Sequence, residues 1–240
     1  MNGLASDTAM VMAAGLGKRM RPLTASQPKP LVRVAGKALI DYTFDRLADA
    51  GIARAVVNVH YLADALQAHV RDRQAPEVVI SDEREALLET GGGLVKARDA
   101  GLLPDPVFCT NADSIWLDGP RNAFADLSAV WDAERMDALL LLVPHDQTHN
   151  FSGPGDFYMD GGGRLSRKLP SRIAPFIYTG IQLLSHRLLR DPPAGKFSTN
   201  VLWDRAIGEG RLYGAAFTGR WIEVGRPGHV ASAAEVLRGG

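Results

Sequence analysis

Six basic residues, Lys18, Arg19, Arg21, Lys29, Arg33 and Lys37, fall between Thr8 and Ile40, and no acid interrupts them. Three of them lie in the stretch Ala13-Ala14-Gly15-Leu16-Gly17-Lys18-Arg19-Met20-Arg21-Pro22-Leu23-Thr24. Glycines let a backbone approach a ligand and turn its N–H groups inward, and neighbouring cations hold the charge those donors bind. The whole chain carries 27 Lys+Arg and 27 Asp+Glu, for a net charge of zero. A local cationic run in a neutral chain marks a site for a strongly anionic ligand such as a triphosphate. The neutral total argues against a general polyanion binder, so no nucleic-acid partner is expected.

Two acids could complement these cations. Asp113 closes Phe108-Cys109-Thr110-Asn111-Ala112-Asp113, just past an apolar run. Open α/β sheets bind ligands at the carboxyl ends of their strands. Asp113 is therefore either a turn former or a ligand of whatever binds there. Glu223 lies in Trp221-Ile222-Glu223-Val224-Gly225 and is either a surface acid or a hard oxygen donor. Residue type alone leaves both choices open.

Several chemistries are excluded. A P-loop needs GxxxxGK[ST], which is absent, and Met20 breaks the dinucleotide fingerprint GxGxxG. The single cysteine, Cys109, rules out an intrachain disulfide and a four-cysteine zinc site. It is read as a buried thiol on a strand. His145 and His149 have helical spacing, but they follow Pro144 in a polar stretch without HExxH and read as a loop. Ser152 is not in a nucleophile elbow.

The elements that must position these residues follow from periodicity. Apolar runs at 8–14, 54–59, 77–80, 106–109 and 137–143 read as strands, the last buried on both faces. Helical spacing covers 38–50, 62–70 and 92–99. Such alternation predicts an α/β fold with a Rossmann-like, mostly parallel sheet flanked by helices. After Pro144 the chain becomes rich in Gly, Pro, Asp and Arg, with strand signals at 157–159 and 173–184 and a glycine turn at 161–163. Helices near 199–207 and 227–237 flank a strand at 212–217. We expect one domain, with a nucleotide-binding half over 1–143 and a smaller, β-rich substrate half over 144–240. The absence of an apolar span or leader pattern leads us to expect a reduced, cytoplasmic protein with no membrane partner, monomeric or a small homo-oligomer.

The glycine loop followed by Lys29-Pro30 closely resembles the signature of the sugar-1-phosphate nucleotidyltransferases. The resemblance covers the N-terminal two-thirds and resumes at the Trp-x-Glu-x-Gly string, where the family carries Asp. It implies backbone contacts to a nucleoside triphosphate from Ala13, Ala14, Gly15 and Gly17, with Asn111 nearby. It also implies that Arg19 faces the departing pyrophosphate, that Lys29 bridges phosphates at the reacting centre, and that Asp113 and Glu223 hold Mg²⁺. Ala86-Leu87-Leu88-Glu89-Thr90-Gly91-Gly92-Gly93 occupies the place of the base-recognition loop, so Glu89, Thr90 and Gly91 are expected at the base. Thr90 could equally be the N-cap of a helix. LETGGG resembles this segment of N-acetylmuramate-1-phosphate uridylyltransferases, which favours UTP and N-acetylmuramate 1-phosphate as substrates in peptidoglycan recycling. The alternatives are a mannose-1-phosphate guanylyltransferase and, in another class, a non-catalytic nucleotide-sugar sensor. A sensor would lack Lys29, Asp113 or Glu223, and all three are present. For the sugar, the resemblance implies Asn150, Gly155, Asp156, Thr179 and Gly180. It also implies Lys168, although the expected Glu-Lys-Pro neighbours are replaced by Arg167-Lys168-Leu169-Pro170.

Overall fold

The apolar run after Asp7 forms strand β1 (Thr8–Met12), the centre of the sheet. A computed structural model describes residues 3–239. A small hairpin, β2 (Arg33–Val34) and β3 (Lys37–Ala38), leads into helix α1 (Leu39–Asp49). Leu39, Ile40, Phe44 and Leu47 give α1 its buried face. Gly51, at φ +83°, ends the helix, and the Ile52 N–H donates back to the Leu47 carbonyl in a Schellman closure. Strand β4 (Arg54–Val59), helix α2 (Ala63–Val70), β5 (Glu77–Asp82), α3 (Glu89–Asp99) and β6 (Val107–Asn111) complete the parallel half. Strands β5, β4, β1 and β6 lie in that order, all parallel.

The rest of the chain adds antiparallel pairing. Short β7 (Ser114–Leu117), α4 (Ala123–Val130), β8 (Ala138–Pro144), β9 (Thr148–His149), β10 (Phe157–Met159), β11 (Leu165–Arg167) and β12 (Phe176–Leu184) follow. Helix α5 (Thr199–Gly208), β13 (Leu212–Ala216), β14 (Arg220–Glu223) and α6 (Gly228–Gly239) close it. Strand β12 runs antiparallel between β6 and β8, so residues on either side of Pro144 share one sheet. Every residue from Ala138 to Val143 is fully buried, as expected for a strand covered on both faces. The glycine turn at 161–163 joins β10 and β11 as a hairpin. The mixed, mostly parallel sheet with flanking helices agrees with the sequence-based expectation. The two short strands β7 and β14, and helix α4, carried no clear periodic signal.

Helix α3 begins at Glu89, three residues before its expected start, so Gly91 joins Gly92 and Gly93 inside it. Glycine propensity would place them in a loop. Tertiary contact overrides it: the Gly91 and Gly92 N–H groups donate to the Phe197 carbonyl at 3.0 and 3.2 Å, and a Cβ at Gly91 would overlap the Phe197 ring.

One buried ion pair ties the far end of the sheet. Asp137 is 2% exposed and accepts from Arg187 Nε at 2.5 Å and Arg211 Nε at 2.6 Å. Burial alone would raise its pKa, but the two guanidinium groups outweigh that and hold it below the usual carboxylate value. A depressed carboxyl contributes stability above its unfolded pKa and loses it as pH falls through the folded one. Asp137→Ala should therefore lower unfolding free energy at pH 7 by about 3 kcal/mol in urea titration. The gap from wild type should shrink below about pH 4.

Candidate active site

The glycine loop leaves the end of β1 and is held from below by a buried amide. Asn58, on neighbouring β4 and 1% exposed, accepts from the Ala13 N–H at 2.6 Å and the Ala14 N–H at 3.2 Å. Its own Nδ2 donates to Glu83 Oε1 at 2.9 Å. Glu83 is fully buried, its Oε2 has no hydrogen-bond partner, and burial raises its pKa. A Cβ on Gly93 would come within 2.7 Å of Glu83 Oε1 and 3.0 Å of Asn58 Nδ2, so glycine there makes room for the pair. The N–H groups of Ala13 and Ala14 thus face Asn58, and other loop atoms remain for a ligand. Gly17 takes the left-handed conformation at φ +59°, with its carbonyl fixed by Thr24 Oγ1 at 2.9 Å. This leads the chain into the turn Lys18–Met20.

The two oppositely charged groups meet across the loop. Lys29 Nζ donates to Asp113 Oδ2 at 2.6 Å, with side-chain exposures of 13% and 35%. Asp113 sits in the turn between β6 and β7. Strand β14 pairs antiparallel with β7 and sets Glu223 opposite Ser114, one residue from Asp113. Asn150 donates from Nδ2 to the Glu223 carbonyl at 3.2 Å, which pins the end of β14. A Cβ on Gly225 would stand 2.9 Å from Glu223 Oε1, so the carboxylate turns over that glycine. Gly225 lines the same cleft as Asp113. No group of three or more His, Cys, Asp or Glu could hold a metal among the described residues. Asp113 in the β6–β7 turn and Glu223 on the adjoining β14 would offer the one or two protein carboxylates that Mg²⁺ usually takes, with substrate phosphates completing the shell.

Three connected compartments meet around Met12. The first, about 250 Å³, is lined by Gly15, Gly17, Lys18, Arg19, Lys29 and Asp113. The second, about 540 Å³, runs from Ala14 and Asp113 past Asn111 to Leu87, Glu89 and Thr90. The third, about 260 Å³, extends from Thr90 and Asn111 to Asp156, Arg167, Gln182 and Trp203. Positive charge concentrates in the first, as a phosphate site requires.

The structure brings Ala13, Ala14, Gly15, Gly17, Arg19, Lys29, Glu89, Thr90, Asn111 and Asp113 to these walls. Gly91 stays beneath, against Phe197. Thr90 does not cap its own helix: its Oγ1 accepts from the Thr199 N–H at 2.9 Å, at the start of α5. Among the six expected sugar residues, Asp156 lines the third compartment, with Oδ2 accepting from the Tyr178 N–H at 2.9 Å. Thr179 and Gly180 form the irregularity in β12 beneath Asn111, where Gly180 takes φ +90° and a Cβ would lie 2.8 Å from Asn111 Nδ2. Asn150 and Gly155 shape the backbone, the latter at φ +77° against the Ala174 carbonyl. Lys168 reaches only the Leu169 carbonyl, at 3.5 Å, outside the three compartments. Its neighbour Arg167 faces the cleft instead. Asn58, Glu83, Lys196 and Arg167 escaped the sequence reading. For the first two the available signal was a polar residue within or just beyond an apolar strand. Cys109 is buried, as expected, and burial pushes its thiol up to about 12.

Two variants test the loop support. Asn58→Ala leaves two N–H groups without their acceptor and should cost about 2 kcal/mol of unfolding free energy, while weakening nucleotide binding in titration calorimetry. Glu83 contributes fully below the unfolded carboxyl pKa of about 4.3, and that contribution declines as pH rises through its raised folded value. Glu83→Gln should therefore flatten the loss of melting temperature above about pH 5.

Comparison with known proteins fits this geometry. A family model described as nucleotidyl transferase matches residues 8–152. An N-acetylmuramate alpha-1-phosphate uridylyltransferase of Caulobacter vibrioides is 47% identical over 93% of this chain and 93% of its own. One of the same description from Neisseria meningitidis is 33% identical over 90% of this chain and 92% of its own. The inositol-1-phosphate CTP transferase structure from T. maritima superposes with a TM-score of 0.79 at 18% identity, covering 100% of this chain and 97% of that one. With a cationic glycine loop whose Lys29 pairs with Asp113 at a strand end, and so matched, the chain belongs to the nucleotidyl transferase family.

Proposed function

We propose that the protein transfers a uridylyl group from UTP to N-acetylmuramate 1-phosphate, giving UDP-N-acetylmuramate and pyrophosphate in the cytoplasm. The Lys29–Asp113 pair, set where the phosphate cleft opens into the larger compartment, carries the reaction class. The two uridylyltransferase relatives, matched along nearly their whole length, support the choice of nucleotide and sugar.

A sugar 1-phosphate has a second pKa of about 6, so at pH 7 it is mostly a dianion and already a nucleophile. No side chain needs to take its proton. One of its oxygens attacks the α-phosphorus of UTP, and the bond from that phosphorus to the bridging oxygen breaks in line. The electron pair leaves with pyrophosphate. The barrier is the approach of two anions, so positioning and fixed positive charge supply the catalysis. Lys18 and Arg19 sit where the β- and γ-phosphates leave, and Lys29 turns from Asp113 to the α-phosphate. Mg²⁺ held by Asp113 and Glu223 would supply further neutralisation of phosphate charge there. The backbone of Gly15 and the walls near Leu87, Glu89 and Thr90 receive the nucleoside. Lys196 spans the outer edge of that space in an ion pair with Glu89 at 3.3 Å.

Pyrophosphate release from UTP, GTP, CTP and dTTP should be measured with several sugar 1-phosphates and Mg²⁺. UTP with N-acetylmuramate 1-phosphate should be fastest; a clear preference for GTP with mannose 1-phosphate would sink the reading. Lys29→Ala should reduce kcat by ~10²–10³-fold, the usual effect of deleting one positioned charge. Asp113→Ala should nearly abolish turnover while cooperative melting persists.

A further inference from the structure

The third compartment contains one cation. Arg167 extends from β11, where Leu165 on the same face is buried and Arg167 is half-buried. Its guanidinium lies 4.9 Å from the ring centre of Phe157 and 5.7 Å from that of Trp203. Such cation–π contact positions the group without satisfying its hydrogen bonds. A guanidinium has five N–H donors. Nε donates to Asp204 Oδ1 at 2.7 Å, and Nη2 donates to the Asn200 carbonyl at 3.2 Å and Asn200 Oδ1 at 3.0 Å. Nη1 has no partner among the described residues. The Asp204 side chain is 60% exposed, so that pair is solvated and weak. Arg167 is thus held against two aromatic rings that meet edge to face, with Nη1 left open.

Its position relative to the other cations decides what Nη1 is for. Lys18, Arg19 and Lys29 line the phosphate compartment, and Arg167 stands beyond Asn111 in a different one. A triphosphate bound near Lys29 leaves Arg167 to the other substrate. Asp156, the one acid on this wall, is tied to the Tyr178 N–H, and burial pushes the Tyr178 phenol up, so that ring stays a neutral donor. A neutral sugar needs hydroxyl partners only, whereas a fork-shaped cation suits a planar carboxylate. N-acetylmuramate carries one, on the lactyl ether of its ring.

We propose that Arg167 is a specificity-determining residue that takes the carboxylate borne by the sugar of the acceptor sugar 1-phosphate. This rests on the substrate reading given above, and it makes the lactyl group, rather than the pyranose ring, the feature by which the acceptor is selected.

The test uses UTP with three acceptors: N-acetylmuramate 1-phosphate, its lactyl methylamide, and N-acetylglucosamine 1-phosphate, which lacks the ether. Wild-type enzyme should favour the acid over the amide in kcat/KM by about 10- to 100-fold, the range of one charge-assisted hydrogen bond, chiefly through KM. That ratio should fall as KCl rises, because an ion pair is screened. Arg167→Met, which keeps the stem on the aromatic rings, should bring the ratio to within about threefold of unity. Arg167→Lys should keep more of it. Equal use of acid and amide by the wild-type enzyme overturns the proposal alone, whatever the variants do. So does an Arg167→Met variant that melts cooperatively and keeps the full ratio. Wild-type enzyme that turns over none of the three acceptors overturns the substrate reading, and this proposal with it.

Discussion

Lys29 and Asp113 are 84 residues apart in the chain and 2.6 Å apart in space. That contact sets the requirement the rest of the architecture meets. Two anions must be brought to one point, so fixed positive charge has to stand there without collapsing onto the protein's own acids. A single lysine against a single aspartate, both reachable by solvent, is an exchangeable pair. It is worth little as a stabilising bridge. Under the proposed mechanism, an incoming phosphate would compete for the lysine and leave the carboxylate open to a cation.

The second carboxylate arrives by a separate route. Strand β14 reaches β7 only after the chain has formed β8, β12 and α5. It is fixed on its two sides by β7 and β9, and from below by Trp221 Nε1 donating to the Thr179 carbonyl at 2.9 Å. Thr179 belongs to the irregular part of β12, whose adjoining Gly180 opens space for Asn111. One local departure from regular pairing therefore serves both the acid-bearing strand and the Asn111 wall shared by the second and third compartments. Neither Thr179 nor Gly180 needs to touch a substrate to matter there.

What could be read from the sequence and what could not divide along a physical line. The glycine loop, Lys29 and Asp113 announce themselves through local composition, because a phosphate site needs charge and bare backbone within a few residues. The apolar strands do so through burial on both faces. Asn58 and Glu83 show only as polar residues in or beside apolar strands, and only the pairing of β4 with β1 and β5 turns a buried amide towards Ala13 and Ala14. The third compartment is legible only in part, for a different reason. In a strand, neighbouring side chains point to opposite faces. With Leu165 buried, the register of β11 turns Arg167 to the cleft and Lys168 away. A motif matched by residue type points to the lysine, and only the pleat shows which of the two side chains lines the compartment.

Helices α3 and α5 show how the two substrate compartments are kept in step. The Phe197 carbonyl accepts from the Gly91 and Gly92 N–H groups, and Thr90 Oγ1 returns a bond to the Thr199 N–H. The segment leading into α5 thereby takes the open N–H groups at the start of α3, and α3 takes one at the start of α5, where unpaired N–H groups would otherwise be costly. The exchange explains the glycines of α3: a side chain at Gly91 would strike the Phe197 ring, and one at Gly92 would stand 3.2 Å from the Gly195 carbonyl. Helix propensity is given up to let a loop lie against a helix end. Thr90 and Ser198 then face both compartments from one rigid joint.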